Sequence, residues 1–183
     1  MSLVITGNPG VGKHTISKHV AKDLNYEIID INKIALKTGL YNKKNKTLDV
    51  DVIELKKYLK KNIPKKSLVV GHLAPYVVSK SQVKFAIILR KNPYKLITIY
   101  KKRNYSNKKI TENVGSEILG TLAYDSIKNF GKNKTHQIDT TNKSVSKISN
   151  IIKAILKGKS VDETVDWLSL VSKKDELKKF FSY

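Results

Sequence analysis

A glycine-rich turn near the start of the chain carries the clearest chemical signal. Gly7-Asn8-Pro9-Gly10-Val11-Gly12-Lys13 has the spacing Gly-x-x-x-x-Gly-Lys and follows an apolar run, residues 3–6. The next stretch repeats apolar residues every four positions, as a helix would. Glycines at this spacing let backbone N–H groups point at phosphate oxygens, and the lysine neutralises the β- and γ-phosphates. The sequence therefore predicts a P-loop that binds ATP or a close relative.

The residues that would bind Mg²⁺ depart from the usual P-loop pattern. The position after Lys13 is normally Ser or Thr, but here it is His14, and imidazole is a poor ligand for this cation. His14 is also compatible with a tolerated substitution that faces solvent. Thr15 can donate to a phosphate or hold the metal through water. Asp30, at the end of the second predicted strand, is the nearest carboxylate candidate for the metal.

Carboxylates are missing from the middle of the sequence, where P-loop enzymes usually have one. Asp and Glu are absent between Glu54 and Glu112, and the third predicted strand ends in Val70-Gly71-His72. Asp49 and Asp51 precede a predicted helix, where helix capping is the simpler interpretation. Metal binding is therefore the step in which this chain departs most from the standard pattern.

The hydrophobic pattern alternates strands with helices around the turn. The predicted strands are residues 3–6, 26–31, 67–71, 83–90 and 135–141. The predicted helices are about 13–25, 34–40, 51–61, 92–103, 111–129, 144–156 and 161–180, with polar loops at 41–47 and 104–109. The nearly continuous apolar strands suit a parallel sheet covered on both faces. We therefore predict one doubly wound α/β domain over residues 1–183, with about five strands.

The net charge of +21 is the strongest feature of the composition. A field of this sign favours polyanions such as nucleotides, RNA or anionic membranes, although a lysine-rich proteome would explain it equally well. Arg90 and Arg103 are the only arginines among 36 basic residues. A chain that avoids arginine so consistently would keep it where a planar, bidentate donor is needed.

Several classes of protein are excluded. The absence of Cys excludes disulfides, cysteine-ligated zinc and thiol catalysis. No apolar run approaches the roughly 20 residues of a membrane helix, so no membrane partner is predicted. The first residues lack the pattern of a signal peptide. We therefore expect a cytoplasmic protein.

The motifs and their spacing resemble one known family over almost the whole chain. It is the family of adenylate kinase-related P-loop NTPases of archaea and the eukaryotic nucleus, which act in small ribosomal subunit maturation. Besides the P-loop, the matching segments are Gly71-His72-Leu73-Ala74, Ile88-Leu89-Arg90, Glu112-Asn113-Val114-Gly115-Ser116-Glu117-Ile118-Leu119 and Ile138-Asp139-Thr140-Thr141. The resemblance implies a mainly parallel five-stranded sheet of the P-loop nucleoside monophosphate kinase type with a short lid. It also implies nucleoside monophosphate kinase activity and slow ATP hydrolysis.

The resemblance further implies roles for individual residues. Residues 30–53 would form the monophosphate-binding segment, and residues 102–112 the lid, from which Arg103 would contact ATP. The Asp139-Thr140-Thr141 turn would lie near the adenine. A surface arginine at a helix end and an ordinary capped loop are the plain alternatives for these two features. The ATP phosphates would be held by Gly10, Val11, Gly12, Lys13, His14 and Thr15.

The chain departs from the family pattern at informative positions. The family usually has an acid two residues before the histidine of its Walker-B-like segment, and here that position is Val70. His72 remains, and by resemblance it would lie near the γ-phosphate or the attacking water, although a histidine after a strand is often structural. The family's Arg-Gly-Tyr is Arg103-Asn104-Tyr105 here, and Asn tolerates positive φ. The often acidic monophosphate segment is rich in Lys and Asn at residues 42–46.

Two hypotheses of different classes follow. The first is a kinase that transfers the ATP γ-phosphoryl to AMP or a related monophosphate, with Lys13, Arg103 and His72 as candidate catalytic residues. The second is a ribosome-assembly factor that uses ATP as a switch with weak or vestigial catalysis, motivated by His14 and Val70. Its partners would be a small-subunit ribosomal protein and rRNA; the positive charge fits rRNA better than a basic protein. A plain RNA-binding protein is disfavoured because the lysines do not surround an aromatic platform.

Overall fold

The computed structural model describes residues 1–44, 47–159, 161 and 163–181, and its centre is a sheet of five parallel strands. These strands are β1 (Ser2–Thr6), β2 (Glu27–Asp30), β5 (Ser67–Val70), β6 (Val83–Arg90) and β7 (Thr135–Asp139). Their order across the sheet is β2-β5-β1-β6-β7. A separate antiparallel hairpin pairs β3 (Tyr41–Lys44) with β4 (Thr47–Val50). The predicted doubly wound, parallel α/β fold is confirmed.

Helices cover both faces of the sheet. They are α1 (Lys13–Leu24), α2 (Ile31–Thr38), α3 (Val52–Asn62), α4 (Ala74–Val77), α5 (Pro93–Lys102), α6 (Asn107–Leu119), α7 (Thr121–Phe130), α8 (Val145–Leu156), α9 (Trp167–Ser172) and α10 (Leu177–Phe180). Alternate residues of β1 belong to different cores: Leu3 and Ile5 pack on the face of α1, α5, α6 and α8, and Val4 on the face of α2, α3, α4 and α7. This burial on both sides explains why the strands are apolar throughout.

Parallel pairing brings the carboxyl ends of the five strands to one edge. Asp30 is in register with Val70, Thr6 with Ile88, and Arg90 with Asp139. In open α/β sheets ligands bind at this edge, where the loops that follow the strands meet. Residues far apart in the sequence therefore surround the turn that follows β1.

Three predicted elements were wrong in detail. The predicted loop at 41–47 includes β3 and the start of β4, which pair through the backbone. The Lys- and Asn-rich sequence of this stretch has no apolar alternation that would predict strands. Residues 45 and 46 lie outside the described residues. The predicted helix at 161–180 is two short helices, α9 and α10, with Asp175 between them at φ 55°.

The predicted helix at 111–129 is also divided. Helix α6 starts earlier, at Asn107, because the Ser106 side chain caps it by accepting from the backbone N–H of Lys109. It ends at Gly120, whose φ of 66° lies in the left-handed region that terminates helices. A new helix, α7, begins directly afterwards. Among the described residues, every helix is too short or too polar to cross a lipid bilayer.

Candidate nucleotide-binding site

The turn between β1 and α1 has the curled backbone that the glycine spacing predicts. Gly7 has a φ of 142°, and a Cβ built there would lie 2.4 Å from the Leu89 carbonyl oxygen, so only glycine fits. Gly12 has a φ of 99° and precedes the first residue of α1. The turn therefore places the N-terminus of a twelve-residue helix at its inner end, where an anion is favoured.

Hydrogen bonds connect the turn to three distant parts of the fold. They run from Asn8 Nδ2 to Glu117 Oε2 (2.7 Å), from the Tyr100 hydroxyl to the Pro9 carbonyl (2.6 Å), and from Thr140 Oγ1 to the Val11 carbonyl (3.1 Å). The partners belong to α6, to α5 and to the segment after β7. The conformation of the turn thus depends on three parts of the fold as well as on its own glycines.

Lys13 is nearly buried, with 8% of its surface exposed. Its ammonium donates to the carbonyls of Gly7 (2.8 Å) and Asn8 (2.9 Å), which leaves one N–H for a phosphate oxygen. Burial lowers the pKa of Lys13 to about 8, the carboxylates of Glu117 and Asp30 raise it, and the Arg103 charge lowers it. Lys13 is therefore still mainly protonated at pH 7.

The candidate metal residues lie at the start of α1 and at the end of β2. His14 is a little over half exposed, and its Nδ1 lies 3.4 Å from Asp30 Oδ2. The other oxygen, Asp30 Oδ1, caps α2 by accepting from the backbone N–H groups of Asn32 and Lys33. Thr15 is exposed. The described residues contain no group of three or more His, Cys, Asp or Glu that could hold a metal.

These donors fit a Mg²⁺ ion that nucleotide phosphates and water would hold for the most part. Mg²⁺ keeps several waters and is commonly bound by one or two carboxylates together with substrate phosphates. Asp30 Oδ2 and the Thr15 hydroxyl are oxygens of the type it prefers. His14 takes the place of the hydroxyl that would bind the ion directly in other P-loop proteins.

A cavity of about 530 Å³ opens at the turn. It is lined by seven of the residues that the sequence predicts for the site, namely Gly10, Gly12, Lys13, His14, Thr15, His72 and Arg103. Val11 is buried beneath the turn and takes part through its carbonyl. The structure therefore brings residues from β1–α1, the segment after β5, and the end of α5 around one space.

His72 lies between this cavity and a second one. The second cavity, of about 460 Å³, is mainly apolar and shares His72 and Asn32 with the first. Its other lining residues are Ala35, Leu36, Tyr41, Val50, Val52 and Leu73. Burial lowers the pKa of His72, and the Lys13 charge lowers it further, so the imidazole is neutral at pH 7 and can both donate and accept a hydrogen bond.

The segment 102–112 comprises the end of α5, a turn and the start of α6. Arg103 is exposed at the C-terminal cap of α5 and faces the 530 Å³ cavity. The Tyr105 ring stacks on Tyr100, with centroids 5.3 Å apart, and the Lys109 ammonium lies 4.3 Å from the centre of the Tyr105 ring. Since Tyr100 also binds Pro9, one side chain contacts both this segment and the turn.

The structure does not bring Asp139 into the cavity at the turn. Asp139 accepts hydrogen bonds from the backbone and the hydroxyl of Thr141, which is the geometry of a capped loop. It borders a different cavity, of about 780 Å³, together with Glu163 and Trp167. Thr140 is buried, and its hydroxyl donates to the Val11 carbonyl. The predicted adenine contact of Asp139 and Thr140 remains a prediction.

Glu117 is a buried carboxylate that contacts the turn, and it is not among the site residues that the sequence predicts. It is 1% exposed, and its Oε1 accepts from Arg90 Nε (2.9 Å), the Lys91 backbone N–H (3.0 Å) and Trp167 Nε1 (3.1 Å). The feature of the sequence that could have identified it is a carboxylate among the residues of α6 that face the core, next to Ile118. Buried carboxylates are rare unless they are paired, and one of the two arginines is its partner.

Comparisons with known proteins agree with this architecture. Residues 3–120 match the model of a family described as AAA domain. A protein of Methanocaldococcus jannaschii named "Putative adenylate kinase" is 35% identical over 173 residues, which cover 91% of this chain and 93% of that protein. A protein of Saccharolobus solfataricus with the same name is 32% identical over 171 residues, covering 92% and 88%.

Two solved kinase structures share the fold. Shikimate kinase from Aquifex aeolicus has a TM-score of 0.53 and 15% identity, and the match covers 86% of this chain and 97% of that one. Deoxyadenosine kinase from M. mycoides has a TM-score of 0.54 and 16% identity, with 87% and 100% covered. At this level of identity the likeness concerns the fold alone.

Proposed function

Since the chain belongs to the AAA domain family and to the same family as the archaeal proteins described above, we propose that it is a nucleoside monophosphate kinase. It would transfer the γ-phosphoryl of ATP to AMP or a related monophosphate. The observation that carries the proposal is the pair of cavities that meet at His72 and Asn32, one lined by the P-loop and the other mainly apolar.

The first cavity supplies what a triphosphate needs. Phosphoryl transfer depends on positioning and charge neutralisation more than on covalent chemistry. The remaining N–H of Lys13 would bind a β- or γ-phosphate oxygen, and Arg103 would neutralise charge from the other side of the cavity. A bound Mg²⁺, held through Asp30 and Thr15 with water, would supply further charge neutralisation on the phosphates.

The second cavity suits the acceptor nucleotide. Its walls come from α2, the β3–β4 hairpin and the start of α3, which together make up most of the proposed monophosphate segment, 30–53. Apolar side chains such as Ala35, Val50 and Val52 would contact a base. Neutral His72, at the junction, would donate a hydrogen bond to the attacking phosphate oxygen. A water in that position would account for slow ATP hydrolysis.

The segment 102–112 would act as the lid. Arg103 and Lys109 already face the cavity and would be drawn towards the phosphates of ATP, which would exclude water during transfer. The stack of Tyr105 on Tyr100 gives this movement a fixed pivot beside the turn. The adenine contact of Asp139 and Thr140 would complete the ATP site.

The experiment is a coupled assay for ADP with Mg-ATP and a panel of monophosphates. Lys13→Ala should lose at least about 100-fold in kcat, since removing one group that stabilises transition-state charge typically costs that much. Lys22→Ala is the matched control, because Lys22 is an exposed lysine in the last turn of the same helix. Undiminished turnover in Lys13→Ala, or no turnover with any monophosphate, would refute the kinase.

A second function is favoured by two side chains. His14 replaces the metal-binding hydroxyl, and Val70, which is fully buried, stands at the position where the resemblance implies that an acid is usual. Both changes fit a factor that binds ATP as a switch in small ribosomal subunit assembly, with a ribosomal protein and rRNA as partners. ATP binding without monophosphate turnover, together with recovery of small-subunit components from native lysate, would favour this function over the kinase.

A further inference from the structure

We propose that Glu117 is a positioning residue for the P-loop, which it holds through the side chain of Asn8. The inference concerns ATP binding, so only its consequence for catalysis rests on the proposed function. Glu117 belongs to α6 and lies 109 residues after Asn8, outside the P-loop motif.

The two carboxylate oxygens of Glu117 have different hydrogen-bond partners, which supports this role. Oε1 accepts from Arg90, from the Lys91 backbone and from Trp167, whereas Oε2 accepts from Asn8 at 2.7 Å. Arg90 has two further acceptors, the Glu117 backbone carbonyl and Gln137 Oε1. Oε1 therefore forms the ion pair with Arg90, and Oε2 accepts a hydrogen bond from the P-loop turn.

Asn8 transmits this contact to Lys13. The Asn8 side chain is enclosed: the residue is 5% exposed, and its Oδ1 also lies 3.4 Å from Ser116 Oγ. The Asn8 backbone carbonyl accepts from the Lys13 ammonium at 2.9 Å. Glu117 thus holds the residue whose carbonyl orients the phosphate-binding lysine, and a displaced Asn8 would release one of the two hydrogen bonds of Lys13.

Protein stability does not by itself explain why the Arg90–Glu117 ion pair is buried next to Asn8. Replacing such a pair by apolar residues is often neutral for stability, so stability is a weak reason to bury Arg90 and Glu117. The pair instead offers a charged oxygen at a fixed place, and hydrogen bonds to a charged group are stronger than neutral ones. The hydrogen bond from Asn8 to Glu117 therefore holds the P-loop turn in position.

Two variants separate positioning from folding. Asn8→Ala removes the contact and leaves the Arg90–Glu117 pair intact, and Glu117→Gln removes the charge with little change of shape. We expect both to weaken ATP binding about tenfold by calorimetry, which corresponds to the loss of a charge-assisted hydrogen bond. KM for AMP should stay within about twofold, because its cavity does not contain Asn8.

The control is Phe130→Leu. Phe130 is fully buried at the end of α7, just before β7 begins and therefore at the opposite edge of the sheet from the turn. It should lower the melting temperature without changing the ATP dissociation constant. If Asn8→Ala and Glu117→Gln also lowered only the melting temperature, Glu117 would be a folding residue and the proposal would be wrong.

The calorimetric measurement of ATP binding does not need AMP turnover. A protein that binds ATP in this Glu117-dependent way and phosphorylates no monophosphate would refute the kinase and leave the inference intact.

Discussion

His14 occupies the position at which most P-loop proteins have a hydroxyl, and its surroundings explain how it is tolerated. The side chain is mostly in solvent, with Nδ1 3.4 Å from Asp30 Oδ2. It therefore avoids the cost of burying an imidazole. Its position also brings it next to the one carboxylate that we propose for Mg²⁺, so it would compete with a bound metal for that oxygen. At the residue scale, the site favours phosphate binding over direct metal binding.

Replacing His14 by Thr should restore the missing ligand and free Asp30. We expect His14→Thr to reach half-maximal activity at a Mg²⁺ concentration roughly three- to tenfold lower, since a gain of about 1 kcal/mol changes an equilibrium by that factor. The measurement is a Mg²⁺ titration of ADP formation. His19→Thr is the control, because His19 is exposed on the same helix. Equal Mg²⁺ dependence in the two variants would mean that His14 does not limit the metal.

Gly120 shows how one residue at the junction of two elements supports the site. It separates α6 from α7 at a φ of 66°, and a Cβ there would lie 3.3 Å from Arg90 Nη1. Arg90 donates to Gln137 through this Nη1 and to Glu117 through Nε and Nη2. The break between the two helices, which the sequence pattern did not predict, therefore makes room for the buried guanidinium beside the turn.

Gly120→Ala should destabilise the protein more than Gly39→Ala. Both glycines end a helix at nearly the same φ, 66° and 68°, but a Cβ at Gly39 meets nothing within 4 Å. The left-handed conformation costs an alanine about 1–2 kcal/mol at either position. The contact with Arg90 adds to this cost only at Gly120. Equilibrium unfolding in urea measures both, and equal losses would show that Arg90 moves away freely.

At the scale of the whole molecule, the net charge of +21 surrounds a site that binds anions. Lys13 is buried, so its proposed contact with phosphate would be partly protected from salt, whereas Arg103 and Lys109 at the cavity are exposed. The overall field adds attraction for any polyanion, nucleotide or RNA. We therefore expect charge to contribute to ATP binding together with the specific contacts of the turn.

The contribution of the field can be measured by salt. Raising NaCl from about 0.05 M to about 0.5 M shortens the screening length to a few ångströms and should weaken ATP binding at least about threefold. Adenosine, which has no charge, is the matched ligand and should change by less than about 1.5-fold over the same range. Equal changes for the two ligands would mean that the field outside the turn contributes nothing.

Much of the fold and the centre of the site could be predicted from the sequence. The glycine spacing before Lys13 and the apolar strands that alternate with helices depend on residues close together in the chain, and the structure confirms the fold that they predict. The sequence did not predict the β3–β4 hairpin, because its strands pair through the backbone without a side-chain pattern. It also did not predict the break between α6 and α7, because that break depends on the backbone conformation of one residue, Gly120.

Only the tertiary structure decided what supports the P-loop. Asn8 meets Glu117 across 109 residues of chain, Pro9 meets Tyr100 across 91, and Val11 meets Thr140 across 129. No local pattern encodes such contacts, because they form when parallel strands bring their carboxyl ends to the same edge. The sequence by itself determined that this chain has a phosphate-binding turn. The packing of α5, α6 and β7 around it determined which side chains hold that turn in shape.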